Sequence, residues 1–137
     1  MRLVADANVL LSAVLGGRAR AVLEHPRTTE VFTAEVTLAE VQEYAAQLAA
    51  KKHLSLDVVL MAVATLPVRV IPREVYEKSI AEARRRIAQR DPGDVEILAL
   101  ALHTGLPLWS NDNDFEDART EWYTTAELLA RLGNAGC

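Results

Sequence analysis

Four short segments of the 137-residue sequence carry carboxylates at positions where a folded chain could bring them together. Asp6 directly follows the apolar residues of an expected strand, and Glu40 lies within an expected helix. Asp94 opens a third, very apolar segment, and Asp112 and Asp114 stand together in a fourth. Carboxylates that converge repel one another unless a cation offsets their charge. The pattern therefore favours binding of Mg²⁺ or Mn²⁺, ions that activate water and act on phosphodiesters.

Each of these acids also has an ordinary structural interpretation. Asp6 and Asp94 are suitable N-caps for the helices that follow them, and the acids of the fourth segment suit a polar turn. Glu40 lies about 120° from the centre of the apolar stripe of its helix, whereas Glu43 points nearly opposite to that stripe. We therefore expect Glu43 to be solvated, and Glu40 to be either a surface residue or a cleft residue.

The elements that must position these acids alternate between short apolar strands and helices. This alternation is typical of an α/β fold with a mostly parallel sheet. In such sheets ligands bind beyond the carboxyl ends of the strands, which is where Asp6 and the segment after Ser110 are expected. The patterns predict strands at residues 2–5, 30–34, 68–71, 106–110 and 121–124, and helices at 8–15, 19–24, 37–51, 55–66, 73–89, 94–103 and 125–132.

The composition is that of a globular protein of one domain. The chain is 50% hydrophobic and 25% charged, and its one cysteine, Cys137, excludes an intrachain disulfide and a cysteine-rich zinc site. No apolar run reaches the roughly 18 residues that span a bilayer, so we expect a cytoplasmic protein with no membrane association. The formal net charge of −4 argues against a simple nucleic-acid binder, but it becomes +1 without the five candidate acids.

The four acidic segments resemble the motifs of the PIN-domain family, in the same order and along nearly the whole chain. They are residues 4–10 (VADANVL), 37–41 (TLAEV), 91–102 (DPGDVEILALAL) and 108–115 (LWSNDNDF). The resemblance implies a three-layer α/β/α fold with a central, mostly parallel five-stranded sheet. It also implies a single nuclease domain over residues 1–132, followed by a short C-terminal tail at 133–137.

The resemblance assigns roles to individual residues of the four segments. The residues that match the family's catalytic, metal-binding acids are Asp6, Glu40, Asp94 and Asp112. Asp114 matches an acid that contributes to the metal site in some members only, and Asp91 matches no defined role. Asn8 and Ser110 match positions that support the site by hydrogen bonds, although Thr is commoner than Ser at the latter position.

Together these matches imply a Mg²⁺- or Mn²⁺-dependent endoribonuclease that prefers single-stranded RNA, of the kind found as VapC-like toxins of toxin–antitoxin pairs. Two other functions stay open, namely an RNA-processing nuclease that is not a toxin and a catalytically silent module that binds RNA or protein. A phosphatase of the haloacid dehalogenase type also begins with a strand-end Asp, but that family needs a second Asp where this chain has Asn8.

Residues outside the acidic segments indicate where RNA and protein partners could bind. Arg84, Arg86 and Arg90 precede the third segment and form either a solvated helix face or a phosphate-binding rim. The apolar run at 58–66 is either core or an exposed face, used by an antitoxin or by a second copy of the chain in the homodimer that we expect. The aromatic residues expected in the core or at its edge, rather than as base-stacking platforms, are Tyr44, Tyr76, Trp109 and Phe115.

Overall fold

The computed structural model describes residues 1–87 and 92–135, which form one five-stranded sheet with helices on both faces. The strands are β1 (Arg2–Ala5), β2 (Glu30–Ala34), β3 (Arg69–Ile71), β4 (Leu108–Trp109) and β5 (Trp122–Tyr123). The helices are α1 (Ala7–Val14), α2 (Ala19–Leu23), α3 (Glu35–Lys51), α4 (Leu56–Ala64), α5 (Arg73–Tyr76), α6 (Ile80–Arg86), α7 (Pro92–Thr104) and α8 (Thr125–Ala135). Two 3₁₀ turns cover Glu77–Ser79 and Asn113–Ala118.

The sheet confirms the expected α/β class. Its strand order is β3-β2-β1-β4-β5, and every pair of neighbouring strands is parallel. β1 lies at the centre, where Leu3 and Ala5 join the apolar cluster on one face and Val4 joins the cluster on the other. A strand covered on both faces has no side for polar residues, which explains the unbroken apolar sequence before Asp6.

The helices complete the three layers that the sequence predicts. On one face, α1, α2, α3, α4 and α8 contribute to a single apolar cluster, to which Leu10, Val41 and Leu128 belong. On the other face, α5, α6 and α7 form a second cluster with Phe115 at its edge. α7 is buried around most of its circumference, with Ile97 and Leu98 fully enclosed. Asp94 is therefore carried by one of the most firmly packed helices of the fold.

The crossover between the two halves of the sheet creates the cleft. From β1 the chain builds outward through β2 and β3, and it then returns to add β4 and β5 on the opposite side of β1. Ligand sites of open parallel sheets lie where the strand order reverses in this way. Ala5 of β1 pairs with Trp109 of β4, so the next residues, Asp6 and Ser110, leave the sheet side by side.

One predicted helix is interrupted in the structure. Residues 73–89 were expected to be continuous, but a 3₁₀ turn at Glu77–Ser79 separates α5 from α6, and α6 ends at Arg86. A 3₁₀ turn winds more tightly than an α-helix, so it rotates the second half of the segment relative to the first. The predicted apolar stripe stays buried, from Tyr76 to Ile87. Gln89 lies outside the described residues.

Other boundaries shift by a few residues. β4 and β5 are each two residues long, shorter than the predicted strands, and α8 continues to Ala135. Pro107 just before β4 has no N–H to donate, although its carbonyl still accepts from Val4 N at 3.0 Å. Among residues 1–87 and 92–135, no helix is long and apolar enough to cross a bilayer.

Candidate active site

Asp6 lies at the carboxyl end of β1 and is the most buried acid of the candidate site, with 7% of its surface exposed. Its Oδ1 accepts a hydrogen bond from the backbone N–H of Ala7 at 2.8 Å, which caps α1. Its Oδ2 accepts from Ser110 Oγ at 2.8 Å and from Asn8 Nδ2 at 3.4 Å. The helix-capping role and the site role considered for Asp6 therefore coexist, because each uses a different carboxylate oxygen.

Ser110 joins β1 to the acidic turn that follows β4. The buried Oγ of Ser110 donates to Asp6 and accepts from Asn8 Nδ2 at 3.1 Å and from the backbone N–H of Asp112 at 3.0 Å. Asn8 also accepts the backbone N–H of Asn111 at its Oδ1, at 3.2 Å. One hydroxyl thus bonds to Asp6, Asn8 and Asp112, which follow the ends of β1 and β4. Because all three bonds meet at one oxygen, they hold these groups in fixed orientations.

The acids of the fourth segment lie on a 3₁₀ turn. Asp112 precedes this turn in an extended conformation and caps it, since its Oδ1 accepts the backbone N–H of Asp114 at 2.9 Å. The turn is pinned to the core by Phe115, which is 1% exposed. The expected turn role of Asp112 is thus present, and the same geometry turns both carboxylates toward Asp94.

The acids from separate elements line one cleft of about 300 Å³. Asp6 comes from the end of β1, Glu40 from the middle of α3, Asp94 from the first turn of α7, and Asp112 from the loop after β4. Glu43 is exposed, as the helical spacing predicts, and Glu40, whose place the spacing left open, is partly buried at the cleft. The remaining lining residues are Ala7, Asn8, Leu11 and Tyr44.

Three of the acids meet the chemical requirements of a metal site. Asp94, Asp112 and Asp114 each offer a carboxylate oxygen, and these oxygens lie within 4.8 Å of one another. Carboxylate oxygens are the ligands that Mg²⁺ and Mn²⁺ prefer, and Mg²⁺ is usually held by one or two carboxylates with several waters. The donor set therefore fits a hard divalent cation. It does not fit a thiolate- or imidazole-bound metal.

Tyr44 lies at the cleft, where sequence reasoning did not expect it. Tyr76, Trp109 and Phe115 are buried as predicted, but Tyr44 is 51% exposed. Of the two expected places, core and edge, Tyr44 takes the edge, because its position lies about 80° from the centre of the apolar stripe of α3, on the side of Glu40. Its spacing of four residues from Glu40 is the signal that could have identified it.

The two candidate phosphate-binding arginines that the structure describes, Arg84 and Arg86, do not line the acidic cleft. Arg84 lines a separate cleft with Arg73 and Glu96, and Arg90, like Asp91, lies outside the described residues. Arg86 donates to Glu82 and to the carbonyl oxygens of Ala118 and Arg119, at 3.3 and 2.8 Å. Arg86 thus ties α6 to the end of the turn that carries Asp114.

Arg85 and Arg86 also act on their own helix. Both donate hydrogen bonds to Glu82, and these bonds lower the pKa of the Glu82 carboxyl. This cluster is exposed, so it contributes little to stability. Arg85 and Arg86 are therefore engaged with a local carboxylate and with carbonyl oxygens, whereas Arg84 lines the cleft beside Pro92 and Val95. A phosphate-binding role for these arginines stays a prediction.

Two further residues support the site without lining it. The indole Nε1 of Trp122, on β5, donates to the carbonyl oxygen of Ser110 at 2.9 Å. Asn111 Oδ1 accepts the backbone N–H of Thr125 at 2.8 Å, which links the site to the start of α8. Neither contact can be predicted from the sequence, because both depend on how β5 and α8 lie beside β4.

Comparison with known proteins gives a family match over almost the entire chain. A family model described as a PIN domain matches residues 4–132. A search of curated proteins found no match.

Solved structures share the fold. The crystal structure of PAE2754 from Pyrobaculum aerophilum superposes with a TM-score of 0.72 at 14% identity, covering 98% of this chain and 96% of that one. A toxin–antitoxin complex from Klebsiella pneumoniae gives 0.67 at 21% identity, covering 90% and 97%. VapC20 of Mycobacterium tuberculosis, described as a toxin that cleaves the sarcin–ricin loop, gives 0.62 at 18% identity, covering 86% and 95%.

The Ser110 network yields a test that needs no substrate. Ser110→Ala leaves the buried Asp6 carboxylate without its nearest side-chain donor, so we expect the free energy of unfolding to fall by about 1–3 kcal/mol, measured by urea denaturation. Thr65→Ala is the matched control, because that exposed hydroxyl donates only to carbonyl oxygens of its own helix; a change within about 0.5 kcal/mol is expected. Equal stability of the two variants would contradict the network's role.

Proposed function

The chain belongs to the PIN-domain family, and on that premise we propose that it is a Mg²⁺- or Mn²⁺-dependent endoribonuclease that acts as the toxin of a toxin–antitoxin pair. The observation that carries the proposal is the convergence of Asp6, Glu40, Asp94 and Asp112 on one cleft. The toxins VapC20 and the Klebsiella pneumoniae complex share the fold of this chain, which supports the same class of function here. Action on RNA in the cytoplasm is part of the proposal.

The metal would be held chiefly by Asp94, Asp112 and Asp114, whose carboxylate oxygens already lie together. Asp6 would complete the ligand set from the end of β1, the strand next to β4. When bound, Mg²⁺ or Mn²⁺ lowers the pKa of water and offsets the charge of the phosphate oxygens. Asn8 and Ser110 hold the Asp6 carboxylate in one orientation, and such supporting contacts typically change metal affinity or activity 10- to 100-fold.

Glu40 is the residue we assign as general base. It faces the cleft from α3, a helix separate from the elements that carry the other acids, so it reaches the reacting phosphate from another side. In the proposed reaction Glu40 accepts a proton from the attacking water as the new bond to phosphorus forms. The bond from phosphorus to the 3′ oxygen breaks and that oxygen takes up a proton from solvent water, which leaves a 5′-phosphate and a 3′-hydroxyl.

Variants of the acids test this function directly. With Mn²⁺ and single-stranded RNA, we expect Asp6→Asn to abolish cleavage and Glu40→Gln to lower kcat by about 10²- to 10⁴-fold. Circular dichroism should show that both variants remain folded. Added EDTA should stop cleavage by the unchanged protein.

Glu43→Gln is the matched control, because Glu43 lies on the same helix but is exposed outside the cleft. It should cleave at the unchanged rate. If Asp6→Asn and Glu43→Gln cleave equally well, the cleft is not the active site. If the unchanged protein binds RNA but never cleaves it with either metal, the chain is the catalytically silent module.

The exposed apolar face of α4 supports the partner part of the proposal. α4 packs on the core through Val59 and Val63, whereas Val58 and Met61 are 67% and 65% exposed. Leu56 and Leu60 are 47% and 38% exposed. Apolar patches of this kind typically mark protein interfaces. We assign this α4 face to an antitoxin and expect the homodimer to use another surface.

Replacing Val58 and Met61 together by Ser tests the assignment. Loss of two apolar side chains that an antitoxin would bury should weaken the complex about 10- to 100-fold, from roughly 1.5–3 kcal/mol of burial. The measurement is a titration with the antitoxin, to be sought first as a small gene directly upstream. Gln42→Ser, an exposed polar change on α3, should leave affinity unaltered. A double variant that binds normally but loses dimer mass in light scattering would instead assign the face to the homodimer.

A further inference from the structure

We propose that Tyr44 is a stacking platform for one unpaired base of the substrate, next to the phosphate held at the acidic cleft. This inference rests on the proposed function and adds to it the reason for a single-stranded substrate. Its basis is the position of one aromatic ring: Tyr44 lines the cleft together with Asp6, Glu40, Asp94 and Asp112.

Helix geometry places the ring beside the reacting groups. Tyr44 and Glu40 are four residues apart on α3, a spacing that brings the two Cβ atoms to about 5–6 Å on one helix face. A phosphate held at the acids would therefore have Tyr44 beside it, within the same cleft as an adjoining nucleotide. Leu11 and Ala7 line the same cleft from α1, so this part of the wall is apolar.

The exposure of the Tyr44 side chain also favours contact with a bound base. The side chain is 51% exposed, and within the described residues its hydroxyl forms no hydrogen bond. Every other tyrosine in the described chain is either buried, as Tyr76 is, or bonded, as Tyr123 is to Glu121. The ring of Tyr44 is thus available to a base on one face.

The charges that line the cleft favour a contact with RNA that does not depend on a cationic side chain. No Lys or Arg lines this cleft in the part of the chain that the structure describes. Arg73 pairs with Glu96, and Arg86 is bonded to Glu82 and two carbonyl oxygens. Among the described residues, contacts with bases are therefore a source of RNA affinity at the cleft that needs no cationic side chain. Base–aromatic stacking supplies such a contact, and it tolerates any base.

Stacking on Tyr44 selects single strands because a base within a duplex already has neighbours above and below. Only an unpaired, turned-out base exposes a free face to an aromatic side chain. The Tyr44 platform thus favours a loop or an unstructured segment at the cleavage position over a helix. The sequence of the RNA is left to other contacts.

Steady-state cleavage of a single-stranded RNA with Mn²⁺ tests the role of Tyr44. Tyr44→Ala should raise KM about 5- to 150-fold, the range of one lost stacking contact, with kcat changed less than about twofold. Tyr44→Phe should retain the unchanged KM, because stacking needs the ring and not the hydroxyl. Gln42→Ala, a neutral exposed change on the far flank of α3, should behave as the unchanged protein does.

An abasic scan separates stacking from a structural effect of the variant. Nucleotides around the mapped cleavage position are replaced one at a time by an abasic sugar. One position should raise KM for the unchanged protein and have no further effect in Tyr44→Ala, since the partner of that base is already missing. Equal abasic penalties in both proteins, or an unchanged KM in Tyr44→Ala, would overturn the stacking role.

The stacking role of Tyr44 and the proposed nuclease function can be contradicted separately. If the unchanged protein cleaves RNA with metal and Asp6→Asn does not, but Tyr44→Ala has the unchanged KM, only the stacking role is wrong. If no protein in the series cleaves RNA, the proposed function is wrong. If Tyr44→Ala changes the mass in light scattering and leaves KM unaltered, the ring serves an interface between copies of the chain.

Discussion

The pairing register of β1 and β4 is the constraint on which the candidate site depends. Ala5 pairs with Trp109, so Asp6 and Ser110 emerge together and are joined at 2.8 Å. A shift of either strand by one residue would reverse which face each side chain occupies, and it would separate the carboxylate from the hydroxyl. The apolar clusters on both faces of β1 resist such a shift. Apolar packing away from the cleft therefore holds Asp6 and Ser110 in their positions.

Charge is the second organising principle of the molecule. Carboxylates from four elements share one cleft, an arrangement that costs stability unless it has a compensating partner. In the proposed function a divalent cation would add to that compensation, which would reconcile a net charge of −4 with action on a polyanion. The same distribution leaves little attraction for RNA at the metal-free cleft. Binding of substrate and binding of metal are thus expected to be coupled.

The features that can be predicted from the sequence are those that depend on local residue patterns and on the order of the strands. Strand β1, the acid at its end and the flanking position of Glu40 follow from apolar runs and helical periodicity. The sequence left the place of Tyr44 open between core and edge, because an aromatic residue on the flank of a helix is compatible with either. The break in residues 73–89 and the bond from Trp122 to Ser110 depend on how separate elements pack together. Such packing between elements cannot be predicted from a local pattern of residues.

The identity of the attacking group tests the central claim most directly. Single-stranded RNA is cleaved with Mn²⁺ in water enriched in oxygen-18, and the product ends are examined by mass spectrometry. Attack by water at the acidic cleft predicts a 5′-phosphate that carries the heavy isotope and a plain 3′-hydroxyl. Products that end in a 2′,3′-cyclic phosphate with no isotope would show that the RNA's own 2′-hydroxyl attacked. That result would contradict a hydrolytic role for Asp6, Glu40, Asp94 and Asp112.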